Sequence, residues 1–309
     1  MTLEELLRPH ATVTVVGLAK NAGKTTVVNH LLERMEGRVG LASLGLDGEA
    51  RDQLTGLAKP RIAPPAGALV LTTTQLRGQT PLLRTLPFRT AAGDVVIVAA
   101  AGGERVVVSG PTRLDELDEA LAVLRSSGAE RLLLEGALGR LGTAAPGRAD
   151  AVVLAAGASL AEGGDDLALR LRLAVDALDL PVSDALADVF LERAAGFEAE
   201  AAAEVGEGAV AELAGALTDP LLEALVRAGR RAMLVVADAT RVLAGPQTVA
   251  RARRAGVELA ARRPLRIAAL TSSPFHPDGS RAPAEAFDAL VGASAGRWPV
   301  YDVVAGFAI

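Results

Sequence analysis

Apolar positions along this 309-residue chain fall in short runs, and their spacing switches repeatedly between strand-like and helical periods. Thr12–Gly17 (TVTVVG) is a β-branched run closed by glycine, which predicts a buried strand. From Gly23 the pattern TTVVNHLLERM becomes helical, with Val27, Leu31 and Leu32 on one side and Glu33 and Arg34 on the other. Val39–Gly45 reads as a second strand, Ala68–Thr73 as a third, and Thr112–Ser126 as an amphipathic helix. Asp94–Ala100 and Glu104–Ser109, joined around Gly102-Gly103, predict a hairpin. Arg131–Glu135 and Ala151–Ala155 are short apolar strands separated by a glycine-rich loop.

After Gly157 the character changes: Leu167–Leu178 and Ser183–Glu204 are rich in Ala and Leu and predict helices. A second strand–helix stretch follows, with strands at Met233–Ala237, Leu265–Leu270 and Val300–Val304 and helices at Gln247–Ala255 and Ala284–Val291. Strands alternating with helices over the whole length predict parallel sheets covered on both faces. The expected division is residues 1–158, then 159–309 as a helical segment followed by a C-terminal α/β portion.

Composition narrows the function classes. The net charge is −5, with both signs interspersed and no basic block, which argues against a nucleic-acid partner. Cysteine is absent, so disulfides and thiolate chemistry are excluded, and a cytoplasmic location is the expectation. Met1–His10 reads as a short acidic amphipathic helix rather than a signal peptide, and no apolar run reaches the ~18 residues of a membrane span. His10, His30 and His276 lack metal-ligand spacing. Only Lys20, Lys24 and Lys59 are lysine, against 29 arginines, and only Asn21 and Asn29 are asparagine. Four of those five rare residues lie within ten positions, where a compact ammonium suits a site that a planar guanidinium would not.

That segment is Gly17-Leu-Ala-Lys-Asn-Ala-Gly23-Lys24-Thr25-Thr26, between the first strand and the first long helix. A glycine-rich turn at such a junction aims backbone N–H groups and the positive helix end at phosphates. A lysine reaches the β- and γ-phosphates and a Ser/Thr hydroxyl ligates magnesium. Five residues separate the two glycines here instead of the common four. The segment predicts a P-loop NTPase fold, three layers α/β/α around a parallel sheet, binding ATP and Mg²⁺ through Gly17, Asn21, Ala22, Gly23, Lys24, Thr25 and Thr26. The magnesium would be held by Thr25 with Glu135, which ends the run RLLLE before Gly136, and with Asp47, which follows the second strand; Glu49 is a weaker candidate. Lys24 and Glu135 are the candidate catalytic residues. No Asn-Lys-x-Asp stretch supports guanine, so ATP is the expected nucleotide. Asp238 and Thr271–Pro274 follow predicted strands, where either ligand contacts or plain turn chemistry would place them. Lys59-Pro60 is a rare lysine in a loop on the same side.

The five-residue spacing, GKTT and Glu135-Gly136-Ala137 resemble the dethiobiotin synthetase branch of P-loop proteins, over the first half of the chain. The glycine pair of that branch is replaced here by Leu138-Gly139. A resemblance to the KamB subunit of lysine 5,6-aminomutase reactivase covers more of the chain. It runs through the phosphate motif, Ser43-Leu-Gly-Leu-Asp-Gly-Glu49, Glu135-Gly-Ala-Leu-Gly-Arg140, Gly215-Ala-Leu-Thr218, Val235-Val-Ala-Asp-Ala-Thr240, Thr271-Ser-Ser-Pro274 and Pro299-Val-Tyr-Asp302. Two positions depart from that pattern: Glu135 stands where an Asp precedes Gly-Ala, and Thr271-Ser272-Ser273 replaces an Asn-containing loop. The resemblance implies an ATPase that acts with a MutS-related ATPase partner to restore an adenosylcobalamin-dependent aminomutase with a damaged cofactor. An ATP-dependent ligase or kinase of dethiobiotin synthetase type, and a nucleotide-binding regulatory subunit, are the alternatives.

Overall fold

A computed structural model describes residues 1–47, 61–160, 164–275, 280, 287–288, 291–292, 295–305 and 307–308, with backbone alone for 47, 137–140, 164–166 and 307–308. In chain order the first part comprises α1 (Leu3–Leu7), β1 (Thr12–Gly17), α2 (Lys24–Arg34), β2 (Val39–Ser43), β3 (Leu46–Asp47) and β4 (Leu69–Thr73). It continues with β5 (Leu82–Thr90), β6 (Gly93–Ala99), β7 (Val108–Ser109), α3 (Leu114–Ser126), β8 (Arg131–Ala137) and β9 (Ala151–Gly157). Then come α4 (Gly164–Leu178), β10 (Val189–Leu191), α5 (Glu198–Glu204), β11 (Val210–Leu213), α6 (Asp219–Arg227), β12 (Ala232–Val236), α7 (Pro246–Arg254) and β13 (Val257–Ala261). The chain ends with β14 (Ile267–Ser273), β15 (Val300–Asp302) and β16 (Phe307–Ala308). The architecture is α/β, with a mostly parallel central sheet and seven α-helices among the described residues.

Contacts divide the chain into two compact units, residues 1–167 with 267–309, and residues 168–266. In the first, ten strands lie in the order β16-β15-β14-β9-β1-β8-β2-β4-β6-β5. The seven from β15 to β4 run parallel, while β16, and β6 with its hairpin partner β5, add antiparallel edges. β1 is buried at every position, as expected of a strand covered on both faces. Alternation along the strands assigns the two cores. Val13, Val15, Leu41, Leu133 and Val153 pack with Leu3 and Leu7 of α1 and Val27 and Leu31 of α2. Leu69, Leu71, Leu132 and Leu134 pack on the opposite face with Leu117, Ala120 and Leu124 of α3. β1 stands between β8 and β9, where successive connections turn to opposite sides of the sheet. In an open α/β sheet that switch point, at the carboxyl ends of the strands, is where ligands bind.

The second unit has its own sheet, β10-β11-β12-β13, parallel and in chain order. α5, α6 and α7 each connect successive strands of it, and α6 lies beside both α5 and α7.

Several sequence expectations change. The hairpin is β5–β6, closed at Ala91-Ala92 by register Thr90↔Gly93, and not the pair around Gly102-Gly103. β5 escaped notice because Arg84, Pro87 and Arg89 break its apolar pattern, which an edge strand tolerates. Glu104–Ser109 supplies only the Ile62↔Val106 bridge and β7, which pairs with β3. Ser183–Glu204 is not one helix: Val189–Leu191 joins β11, and only Glu198–Glu204 is helical, after Gly196 at φ 83°. Sheet pairing overrides helix propensity there. β11, α6 and β13 were not anticipated, although Pro220 in the first turn of α6 is a helix-start signal. The late strands β14, β15 and β16 return to the first sheet rather than completing a separate C-terminal portion. Of the helix expected at Ala284–Val291, residues 287, 288 and 291 are described, and they are helical.

Candidate phosphate-binding site

β1 ends at Gly17, and α2 begins at Lys24 with Gly23 as its N-cap. The intervening loop turns on two left-handed residues, Asn21 at φ 60° and Gly23 at φ 88°. Asparagine tolerates that region better than other side chains, and glycine enters it without steric cost. Gly17 serves a different need. A Cβ there would lie 2.8 Å from Lys24 Cγ and 2.9 Å from Cδ, so only glycine lets the lysine stem cross the start of the loop. Ala22 is buried, and its backbone packs on Gly157, where a Cβ would come within 2.5 Å of Ala22 Cα.

Three of the candidate side chains converge here. Lys24 Nζ lies 3.3 Å from Glu135 Oε1, and Thr25 Oγ1 donates to the same oxygen at 3.4 Å. Glu135 is 2% exposed, at the carboxyl end of β8, in register with Val15 on β1 and Ser43 on β2. Strand alternation puts it on the same face as Leu133, the face that carries α2. An ammonium, a hydroxyl and a buried carboxylate therefore meet beside a helix N-terminus. That donor set fits a polyphosphate with a hard divalent cation held by oxygen. Thr26 is partly buried in the same first turn. Thr14 supports the floor by donating to Thr143 O at 3.0 Å. Gly136 leaves room for Thr143, whose Oγ1 would be 2.5 Å from a Cβ at that position.

Not every sequence candidate joins this group. Asp47 has its backbone paired with Val108 in β3–β7; its side chain, with Glu49 and Lys59-Pro60, lies outside the described residues. Asp238 belongs to the second unit, where it accepts from Thr240 N at 3.0 Å and Thr240 Oγ1 at 2.5 Å. Its role there is to cap a short 3₁₀ turn, Ala239–Arg241. Thr271, Ser272 and Ser273, by contrast, end β14 beside the Gly17–Gly23 loop, and a Cβ on Gly23 would lie 2.8 Å from Ser273 Cβ. His30 pairs with Glu4 at 3.4 Å, tying α2 to α1.

The sequence reading missed three supports of the loop: Gly157, Ser273 and Ser159, whose Oγ donates to Lys20 O at 2.7 Å. The available signal was weak, a small residue just past the end of an apolar strand. Among the described residues no three of His, Cys, Asp and Glu cluster as metal ligands, and no helix is long and apolar enough to cross a membrane. No family model matches the chain, and no curated protein or solved structure matches it.

Proposed function

We propose that this chain is a cytoplasmic, magnesium-dependent ATPase with a P-loop NTPase fold, and that it serves as a subunit of a reactivating factor for an adenosylcobalamin-dependent lysine 5,6-aminomutase. The observation that carries the nucleotide reading is the meeting of Lys24, Thr25 and Glu135 at the carboxyl ends of β1 and β8. Lys24 and the N–H groups of the Gly17–Gly23 turn would hold the phosphates, and Thr25 with Glu135 would hold magnesium, Asp47 remaining a further ligand candidate. Bound ATP supplies the phosphoanhydride whose cleavage drives the cycle. The chain's own part would be to bind the polyphosphate at the start of α2 and to place one buried carboxylate beside it. The client and the MutS-related ATPase partner rest on the ordered motif resemblance, from Gly17 to Asp302.

The test uses purified chain, nucleotide-binding calorimetry and an inactivated aminomutase. Lys24→Ala removes a charge-assisted contact of about 2–3 kcal/mol, so ATP should bind roughly 30- to 150-fold more weakly. The wild type should turn ATP over slowly alone, and should rescue the aminomutase when the partner ATPase and fresh cobalamin are added. Strong stimulation of turnover by a small carboxylate or amine, without the partner, would favour the ligase or kinase reading. Absence of rescue with both proteins present rules out the reactivating role.

A further inference from the structure

Glu135 is the carboxylate that lies against Lys24 and Thr25, so whatever fixes the end of β8 also fixes that carboxylate. The next residue, Gly136, faces the opposite side of the sheet, because side chains alternate along a strand. Glycine weakens a strand unless its missing side chain is put to use, often by a close neighbour. Here the missing Cβ leaves a notch. An atom at that position would lie 2.5 Å from Thr143 Oγ1, 3.4 Å from Val16 Cγ2 and 3.5 Å from Thr14 Cγ2. Thr143 therefore fills the notch, with Thr14 and Val16 of β1 beside it. Thr14 Oγ1 donates to Thr143 O at 3.0 Å, and both threonines are fully buried. A side chain is thus wedged against two central strands, directly behind the segment that presents the carboxylate.

Thr143 belongs to the 3₁₀ turn Leu138–Ala144, which begins where β8 ends. α3 holds that turn in place. A Cβ on Gly142 would lie 2.6 Å from Leu114 Cδ1, in the first turn of α3. The Arg148 guanidinium donates to Gly142 O and forks onto Asp118 of α3 at 2.6 Å and 2.7 Å. Its side chain is 14% exposed against 52% for Asp118, so the arginine is the inner member of the pair. Arg148 N also donates to Ala145 O at 2.9 Å. The chain then rejoins the sheet at Asp150, whose Oδ2 accepts from Thr12 N at 2.9 Å and whose own N donates to Thr12 O at 2.9 Å. Thr143 is therefore seated from the α3 side by Arg148 and from the sheet side by Thr14, and all these residues lie in the first unit.

We propose that Thr143 is a positioning residue for Glu135: seated by Arg148 and Asp118, it backs the end of β8 and sets where the carboxylate meets magnesium. This rests on the nucleotide reading of the site. Magnesium demands near-octahedral oxygen geometry, so a small displacement of one carboxylate weakens its hold. Groups that orient a metal ligand from behind are worth about 10- to 100-fold in metal affinity. The phosphate contacts of Lys24 and of the Gly17–Gly23 turn do not pass through Thr143. The metal-dependent and metal-free parts of nucleotide binding therefore separate, and Thr143 acts on the first alone.

Calorimetry of a non-hydrolysable ATP analogue on the full chain, in excess magnesium and in chelator, gives the factor by which magnesium tightens binding. Thr143→Ala empties the notch and should cut that factor about tenfold, while affinity in chelator does not fall. Thr143→Ser keeps the hydroxyl and should retain most of the factor. Gly136→Ala fills the notch from the other side and should lower the factor as Thr143→Ala does. The double variant exchanges one methyl for the space that Thr143 gives up, and should recover part of the loss, a non-additivity expected of residues in contact. Arg148→Ala unseats the turn from the α3 side and should lower the factor by less. Circular dichroism establishes that each variant is folded; if Thr143→Ala is not, Arg148→Ala and the double variant decide. An unchanged factor in the folded variants overturns the proposal, as does a loss of affinity that is equal with and without magnesium. Wild-type binding that magnesium does not tighten overturns it too. Failure of the wild type to bind the analogue at all is a different result: it removes the nucleotide site, and the role of Thr143 with it.

Discussion

Lys24 faces a carboxylate 3.3 Å away, so under the proposed nucleotide reading a phosphate has to compete with Glu135 for the ammonium. The pair is unequally buried, with the lysine side chain 15% exposed and the glutamate 2%. An ammonium that reaches solvent can swing to a phosphate, whereas a buried carboxylate on a central strand stays in place. Glu135→Gln keeps the shape and removes the charge. ATP turnover with magnesium should fall about 100-fold, the scale of losing one preorganised electrostatic group. Without magnesium, nucleotide affinity should rise, because Lys24 no longer has to leave an anion. Equilibrium dialysis with and without chelator separates the two effects, and a drop in magnesium-free affinity would contradict this arrangement.

At the scale of elements, α2 is the piece on which the site depends, and α1 clamps it. Glu4 on α1 meets His30 on α2. Burial pushes the Glu4 carboxyl up, but its own backbone amide, the Thr2 hydroxyl and His30 outweigh that and hold it below the ordinary carboxylate range. A neighbouring effect has the opposite sign: burial, with the charges of Glu4 and Glu5, pushes the Tyr301 phenol up. For Glu4 the folded state binds its proton less readily than the unfolded chain. Its contribution is therefore complete above the unfolded value and is lost as pH falls through the acid range. Glu4→Gln should flatten the loss of stability between about pH 5 and pH 3, measured by denaturant titration at each pH. An unchanged acid limb would show that Glu4 adds nothing to that loss, leaving α1 to the burial of Leu3 and Leu7 and to the Arg131 bonds to Leu7 O and His10 O.

For the whole molecule, the first unit carries both hydrophobic layers of the ten-stranded sheet together with the Gly17–Gly23 loop, and the second carries a separate four-stranded sheet. A ligand stabilises the part whose folded form it requires. At free magnesium–ATP 100-fold above its dissociation constant, the first unit should gain about 2.7 kcal/mol. Thermal unfolding followed by exchange or by fluorescence should show that gain in the wild type and only about 0.3–0.9 kcal/mol in Lys24→Ala at the same nucleotide concentration, given its 30- to 150-fold weaker binding.

The chain's local pattern was enough to locate the strand–loop–helix junction at Gly17–Thr26 and the strand that carries Glu135, though that strand runs on to Ala137, because a tight glycine turn is built from contiguous residues with fixed backbone needs. Gly17 for the lysine stem and Gly23 for a left-handed turn are demands that a short segment states by itself. What neighbours a strand is another matter, since strands far apart in sequence pair through backbone groups that all residues share. Val189–Leu191 looked helical until β11 recruited it, and β14 looked like part of a second domain until it paired with β9. The same reason hid Ser159 and Ser273. Nothing in a serine after a strand reveals that the strand lies next to β1's loop, and only the assembled sheet brings residues 159 and 273 against residues 20 and 23.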